Sequence, residues 1–289
     1  MKQMPCIYPD SRAFMDAPAK RVALIGMSGL GKTHISNMLR DGGDWFHYSV
    51  DYRIGTRYMG EHIVDNFKRE AMRVPFLREL LKSDSIYIAS NITFENLSPL
   101  STYLGKPGNP ERGGIAFDTY MQRQEQHREA EIAATIDALK FIGKSRDIYG
   151  YDNFVCDTSG SICEVVDPND PEDPVLTALA ANMLIVWIRG KDSHIDTLVE
   201  RFNKAPKPMY ARAPAMMARW EAYLASMNVK ASDVDPDNFI RWSYREILND
   251  RAPLYQGIAE NWGVSIDVDD LIKVQSSEDF NRLIAAALG

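Results

Sequence analysis

The amino-acid sequence predicts an α/β fold built on a mostly parallel sheet. Short apolar runs recur along the chain, helical stretches separate them, and the first run leads into a glycine-rich turn. With 289 residues, the chain is long enough for one large domain or two small ones with a sizeable core.

Residues 1–20 are of mixed polarity and carry prolines, so they read as a loosely ordered lead-in with no continuous apolar stretch of a secretory signal. Arg21-Val22-Ala23-Leu24-Ile25 is an apolar run of the kind that makes a buried parallel strand. After the turn, a helix is expected over 32–40, stopped by Asp41-Gly42-Gly43. Residues 46–50 read as a second strand. Residues 53–82 read as mostly helical, with Pro75 breaking or restarting the helix. Ile86, Tyr87 and Ile88 suggest another short strand over 85–90. Residues 96–114 carry Pro99, Pro107, Pro110 and four glycines, which predicts a long loop. A long polar helix follows over 118–142, then a strand over 153–156 that ends in Asp157. Residues 175–188 read as a helix leading into a last buried strand over 183–188. From His194 onward the pattern is helical, apart from a proline-rich break over 205–214.

The formal net charge of −7 argues against a broad nucleic-acid-binding face. Cys6, Cys156 and Cys163 form no CxxC pair and no zinc spacing, and such a sparse set suits a reducing compartment. The five histidines are scattered and form no metal constellation. No apolar run approaches the roughly 20 residues that span a bilayer. The expectation is therefore a cytoplasmic protein without a membrane segment.

Gly26-Met27-Ser28-Gly29-Leu30-Gly31-Lys32-Thr33 matches G-x-x-x-x-G-K-[ST] at every position, between an apolar strand and a helix. In such a P-loop the glycines let the backbone wrap phosphate oxygens without a Cβ in the way. Successive N–H groups and the helix N-terminus offer partial positive charge to the anion. Gly26, Ser28, Gly29, Leu30, Gly31, Lys32 and Thr33 are thus expected to hold ATP. Lys32 would lie on the β- and γ-phosphates and the Thr33 hydroxyl on Mg²⁺.

Phe154-Val155-Cys156-Asp157 puts a carboxylate at the carboxyl end of a strand, the edge where open parallel sheets bind ligands. Asp157 can hold the Mg²⁺ shell as a Walker B aspartate does, or be a solvated turn residue. Arg201, Lys204, Lys207, Arg212 and Arg219 form a basic stretch in an acidic chain. It reads either as a mobile lid over 201–219 that clamps phosphates or as a solvated face.

The P-loop together with Val155-Cys156-Asp157-Thr158-Ser159-Gly160 resembles the shikimate kinase-like branch of small-molecule kinases. The resemblance implies that the Gly160 N–H approaches the γ-phosphate. Ser49-Val50-Asp51 is similar to that family's D-x-D, which gives Asp51 the role of the aspartate on the acceptor hydroxyl; Ser49 replaces the first acid. Arg201 and Lys207-Pro208-Met209-Tyr210 look like its lid, which implies Arg201 on the adenine and Lys207 at the phosphates. Lys207 stands where the family has an arginine, so the charge is kept and the bidentate geometry lost. Arg251-Ala252-Pro253-Leu254-Tyr255 resembles R-x-P-L-Y, which implies Arg251 as the holder of the acceptor; the plain alternative is a helix start with proline at a permitted position.

These readings assemble into a three-layer P-loop NTPase domain over 21–289, with a mainly helical insertion at about 58–150. The expected chemistry is transfer of the ATP γ-phosphoryl group to a hydroxyl of an unidentified small molecule, with Lys32, Asp51, Asp157 and Lys207 as the catalytic set. The rival is a regulatory or assembly ATPase whose insertion meets a protein partner.

Overall fold

The computed structural model describes residues 6–289. Along the chain run α1 (Ser11–Asp16), β1 (Arg21–Ile25), α2 (Lys32–Asp41), β2 (Trp45–Ser49) and α3 (Val50–Arg53), the last continuing into a wide helical turn at Ile54–Tyr58. Then come α4 (Gly60–Ala71), α5 (Pro75–Lys82), α6 (Ser98–Leu104), α7 (Phe117–Asp147), β3 (Asn153–Asp157), α8 (Pro174–Ala180) and β4 (Leu184–Arg189). The chain closes with α9 (Asp192–Lys204), α10 (Ala213–Met227), α11 (Pro236–Trp262), β5 (Gly263–Asp267), α12 (Val268–Leu271) and α13 (Ser277–Leu288). No helix among the described residues is long and apolar enough to cross a membrane.

Two compact units form among the described residues, one from residues 6–50, 131–206 and 241–289, the other from 51–130 and 207–240. The first is α/β and holds the whole sheet. Its five strands are all parallel, in the order β2-β3-β1-β4-β5. The central strands are apolar on both faces because helices cover both, and Val22 to Ile25, Phe154 to Cys156 and Leu184 to Val186 are all buried. From β1 the chain moves past β3 to β2; from β3 it moves past β1 to β4. The connections leave in opposite directions, which opens a crevice at the carboxyl ends of β1 and β3.

Residues 1–5 of the lead-in lie outside the described residues; the part from residue 6 onward is held by specific contacts. Asp10 caps α1 by accepting from the Ala13 N–H at 2.7 Å. The Tyr8 hydroxyl donates to the Ala19 carbonyl and accepts from the Arg21 N–H at 3.0 Å, tying the segment to the start of β1. Phe14 is fully buried and packs edge-on against Tyr8.

Two strand expectations change. Residues 85–90 form no strand, and Tyr87 is exposed. The strand over 183–188 is not the last: β5 follows α11 and pairs with β4. At its first position, a Cβ on Gly263 would lie 2.1 Å from the Ile185 carbonyl oxygen, so only glycine lets these backbones approach.

The second unit is helical. Pro75 opens α5, where its missing N–H costs nothing. The 96–114 loop holds α6 and a single short turn at Pro110–Arg112, and Asn109 caps that turn through the Glu111 N–H. Phe117 stacks on Trp220 with ring centroids 4.7 Å apart, and Trp220 meets Phe239 edge-on. The helical insertion was expected at about 58–150; the helical unit instead begins at residue 51, stops at 130 and takes in 207–240.

Candidate functional site

The glycine-rich loop at 26–33 lies between β1 and α2, at the carboxyl end of the central strand. Gly26, Gly29 and Gly31 have φ of 144°, 90° and 98°, a region that side chains rarely adopt. A Cβ on Gly29 would also press on the tip of the Leu198 side chain at 2.8 Å, which would have to shift. Ser28, Gly29 and Thr33 reach solvent, while Leu30 and Lys32 are buried. The Lys32 ammonium folds back and donates to the carbonyls of Gly26 at 2.7 Å and Met27 at 3.2 Å.

Asp157 ends β3 and is in register with Leu24 of β1 and Ser49 of β2. Its carboxylate accepts from the Thr33 hydroxyl at 2.7 Å. His47 of β2 brings its Nε2 to 3.6 Å from the same carboxylate oxygen, with both side chains buried. Asp157 is thus no solvated turn residue. The next residue, Thr158, fastens the end of β3 to β1 through its N–H and hydroxyl, both donated to the Leu24 carbonyl.

Gly160 lies against the loop. A Cβ there would come within 2.0 Å of the Ser28 hydroxyl and 2.8 Å of the Ser28 nitrogen. Beyond it, the Ser161 hydroxyl donates to Glu131 of α7 at 2.8 Å. These are the matches for a phosphate-and-metal cradle: glycines that leave room at the backbone, a helix N-terminus, a buried lysine, and a hydroxyl paired with a carboxylate. If Mg²⁺ is held here, Thr33 and Asp157 are the protein groups that fit it.

Arg251, expected to hold an acceptor, is only 5% exposed and turned inward. Its Nε donates to Glu164 at 2.5 Å and its Nη1 to the Gly160 carbonyl at 3.0 Å. Burial, the largest influence, lowers the guanidinium's pKa, but Glu164, Cys163 and Tyr255 around it together make the net shift upward. Pro253 lies in the interior of α11 rather than at a helix start. An internal proline costs about 3 kcal/mol; the buried Ile247, Leu248, Tyr255 and Ile258 hold the helix through it.

Arg201 is exposed on α9, one turn beyond the Leu198 that meets Gly29. Asp51 and Lys207 belong to the helical unit. Asp51 is half-buried in the first turn of α3, two residues past the end of β2. Lys207 is exposed in the irregular segment between α9 and α10, whereas Arg219 is buried in α10.

Sequence reasoning missed His47, Glu131 and Tyr255. The Tyr255 hydroxyl donates to the Gly26 carbonyl at 3.1 Å. A usable signal was present: Arg251 and Tyr255 are four residues apart, so a continuous helix sets them on one face.

No family model matches the chain. It is similar to isoleucine–tRNA ligase of Lactobacillus johnsonii, with 25% identity over 207 residues. That match covers 59% of this chain but only 21% of the relative's length. Among solved structures, it is similar to shikimate kinase from Bacteroides thetaiotaomicron, with 14% identity and a TM-score of 0.38, covering 93% of this chain and 94% of that one. The residues of the cradle, rather than either likeness, carry the functional reading that follows.

Proposed function

We propose that the chain binds ATP with Mg²⁺ and transfers the γ-phosphoryl group to a hydroxyl of a small molecule. The observation that carries this reading is the Thr33–Asp157 hydrogen bond at the mouth of the glycine-rich loop. A hydroxyl and a buried carboxylate held together beside a phosphate cradle suit one cation and one triphosphate. Thr33 and Asp157 would hold Mg²⁺, which would supply neutralisation of the triphosphate's charge.

The protein's own groups do the positioning. Loop amides and Lys32 stabilise the charge of the transferring group, and the Gly160 N–H adds a donor beside it. Asp51 accepts the proton of the acceptor hydroxyl. Arg201 lies on the nucleotide base, and Lys207 approaches the phosphates from a lid that excludes water.

A second reading, an ATPase that switches a protein partner, is favoured by one feature of the helical unit. Helix α5 buries none of its residues, and Phe76 on it is 72% exposed. The deciding experiment incubates the protein with ATP and Mg²⁺ and follows labelled γ-phosphate in the presence of a panel of small hydroxyl compounds. Transfer to an organic acceptor, lost in Lys32→Ala, supports the kinase. Inorganic phosphate as the sole product supports the switch. Equal turnover by Lys32→Ala would remove both.

A further inference from the structure

The carbonyl of Gly26 is a shared acceptor. It takes hydrogen bonds from the Lys32 ammonium at 2.7 Å and from the Tyr255 hydroxyl at 3.1 Å, and Gly26, Lys32 and Tyr255 are all buried. A buried carbonyl must keep a donor, because an unsatisfied one costs its full desolvation. On the reading proposed above, the three N–H groups of Lys32 must be divided between its own loop and the nucleotide. Its ammonium donates to the Gly26 and Met27 carbonyls, and turning to phosphate oxygens draws donors away from them. When it leaves, Gly26 loses its charged donor.

We infer that Tyr255 is a positioning residue that keeps the Gly26 carbonyl satisfied while Lys32 moves to the phosphates. The inference rests on the nucleotide reading and adds a residue to it. The Tyr255 ring is completely buried, so its hydroxyl has little freedom to go elsewhere. Burial holds its pKa well above the usual tyrosine range, so it keeps its proton and stays a donor. Arg251, one turn earlier on α11, holds the Gly160 carbonyl on the other wall. One helix face thus fixes a carbonyl on each side of the cradle, and neither residue needs to touch the substrate.

Tyr255→Phe separates this role from simple packing. In the ligand-free protein Lys32 still satisfies Gly26, so the urea unfolding midpoint should barely move. With nucleotide bound the carbonyl has lost both donors. The affinity for a non-hydrolysable ATP analogue with Mg²⁺, measured by calorimetry, should fall roughly ten- to hundredfold. A second measurement needs no nucleotide. Lys32→Met and Tyr255→Phe each leave one donor on Gly26, so together they should lose more unfolding stability than the sum of the two alone. Equal affinities in wild type and Tyr255→Phe, or additive losses in the double variant, would overturn the inference while leaving the nucleotide reading intact. Absence of analogue binding by the wild type would remove that reading, and this inference with it.

Discussion

The Thr33 hydroxyl donates to the Asp157 carboxylate at 2.7 Å, which joins the first turn of α2 to the end of β3. The two residues are far apart in sequence and meet because β1 and β3 are neighbours in the sheet. If this pair holds Mg²⁺, Asp157→Asn should keep the hydrogen bond through the amide oxygen but lose the charge. Magnesium affinity should then weaken roughly 10- to 100-fold, the scale for altering a group in or beside a metal's shell. A Mg²⁺ titration of ATP turnover checks this. An unchanged magnesium midpoint would take Asp157 out of the metal site.

The buried pair of Arg251 and Glu164 makes a stability prediction. Arg251→Met removes the guanidinium that faces the buried Glu164 carboxylate, and breaking such a buried pair costs about 3–5 kcal/mol. Replacing both, as Arg251→Met with Glu164→Leu, removes the stranded charge and should recover much of that loss. Urea unfolding of the two variants measures it. A double variant no more stable than the single one would mean that the lost bond to Gly160, rather than the stranded charge, dominates.

The cysteines report on the same region. Burial pushes the Cys163 thiol up to about 12. Burial, and then the neighbouring Asp157 charge, push Cys156 up as well. A raised pKa lowers the thiolate fraction, so at pH 8 both thiols stay protonated and unreactive. Cys6 is exposed. Alkylation of the native protein at pH 8 should modify Cys6 and leave the other two until urea unfolds the chain. Rapid modification of Cys163 in the native state would mean that the 160–164 segment opens.

What was legible in the sequence was local. The 26–33 loop carries its spacing and both flanks within about a dozen residues, and the runs around Val22, Val155 and Val186 are apolar because helices cover the central strands on both faces. What was hidden was pairing. The 85–90 segment has a strand's composition and no partner strand, whereas β5 begins with Gly263 at the sheet edge and buries only Ile266. The same limit applied to the site. Arg251 could be named from its motif, but its partner Glu164 lies 87 residues away, and only the fold makes it an inward anchor.

Asp51 separates kinase from switch. It stands in the first turn of α3, two residues past β2, the strand that pairs with the one ending in Asp157. Two roles fit that position. In the kinase the carboxylate takes the proton of the acceptor hydroxyl as the phosphoryl group arrives, a contribution of about 10²- to 10⁴-fold. In the plain alternative it favours a helix start by facing the positive end of the helix dipole, worth at most about 1 kcal/mol at such a site. Asp51→Asn keeps the shape and removes the charge, so the two roles give different outcomes. A general base predicts that ATP affinity and the unfolding midpoint hold while transfer to the acceptor falls at least ~10²-fold, with kcat carrying the loss. A helix-start role predicts a small drop in the unfolding midpoint and intact turnover. Asp51→Glu adds a control: it restores the charge one methylene too far, so a base should recover part of its rate. Normal transfer by Asp51→Asn would end the mechanism as written and leave the ATPase switch as the better account of the same cradle.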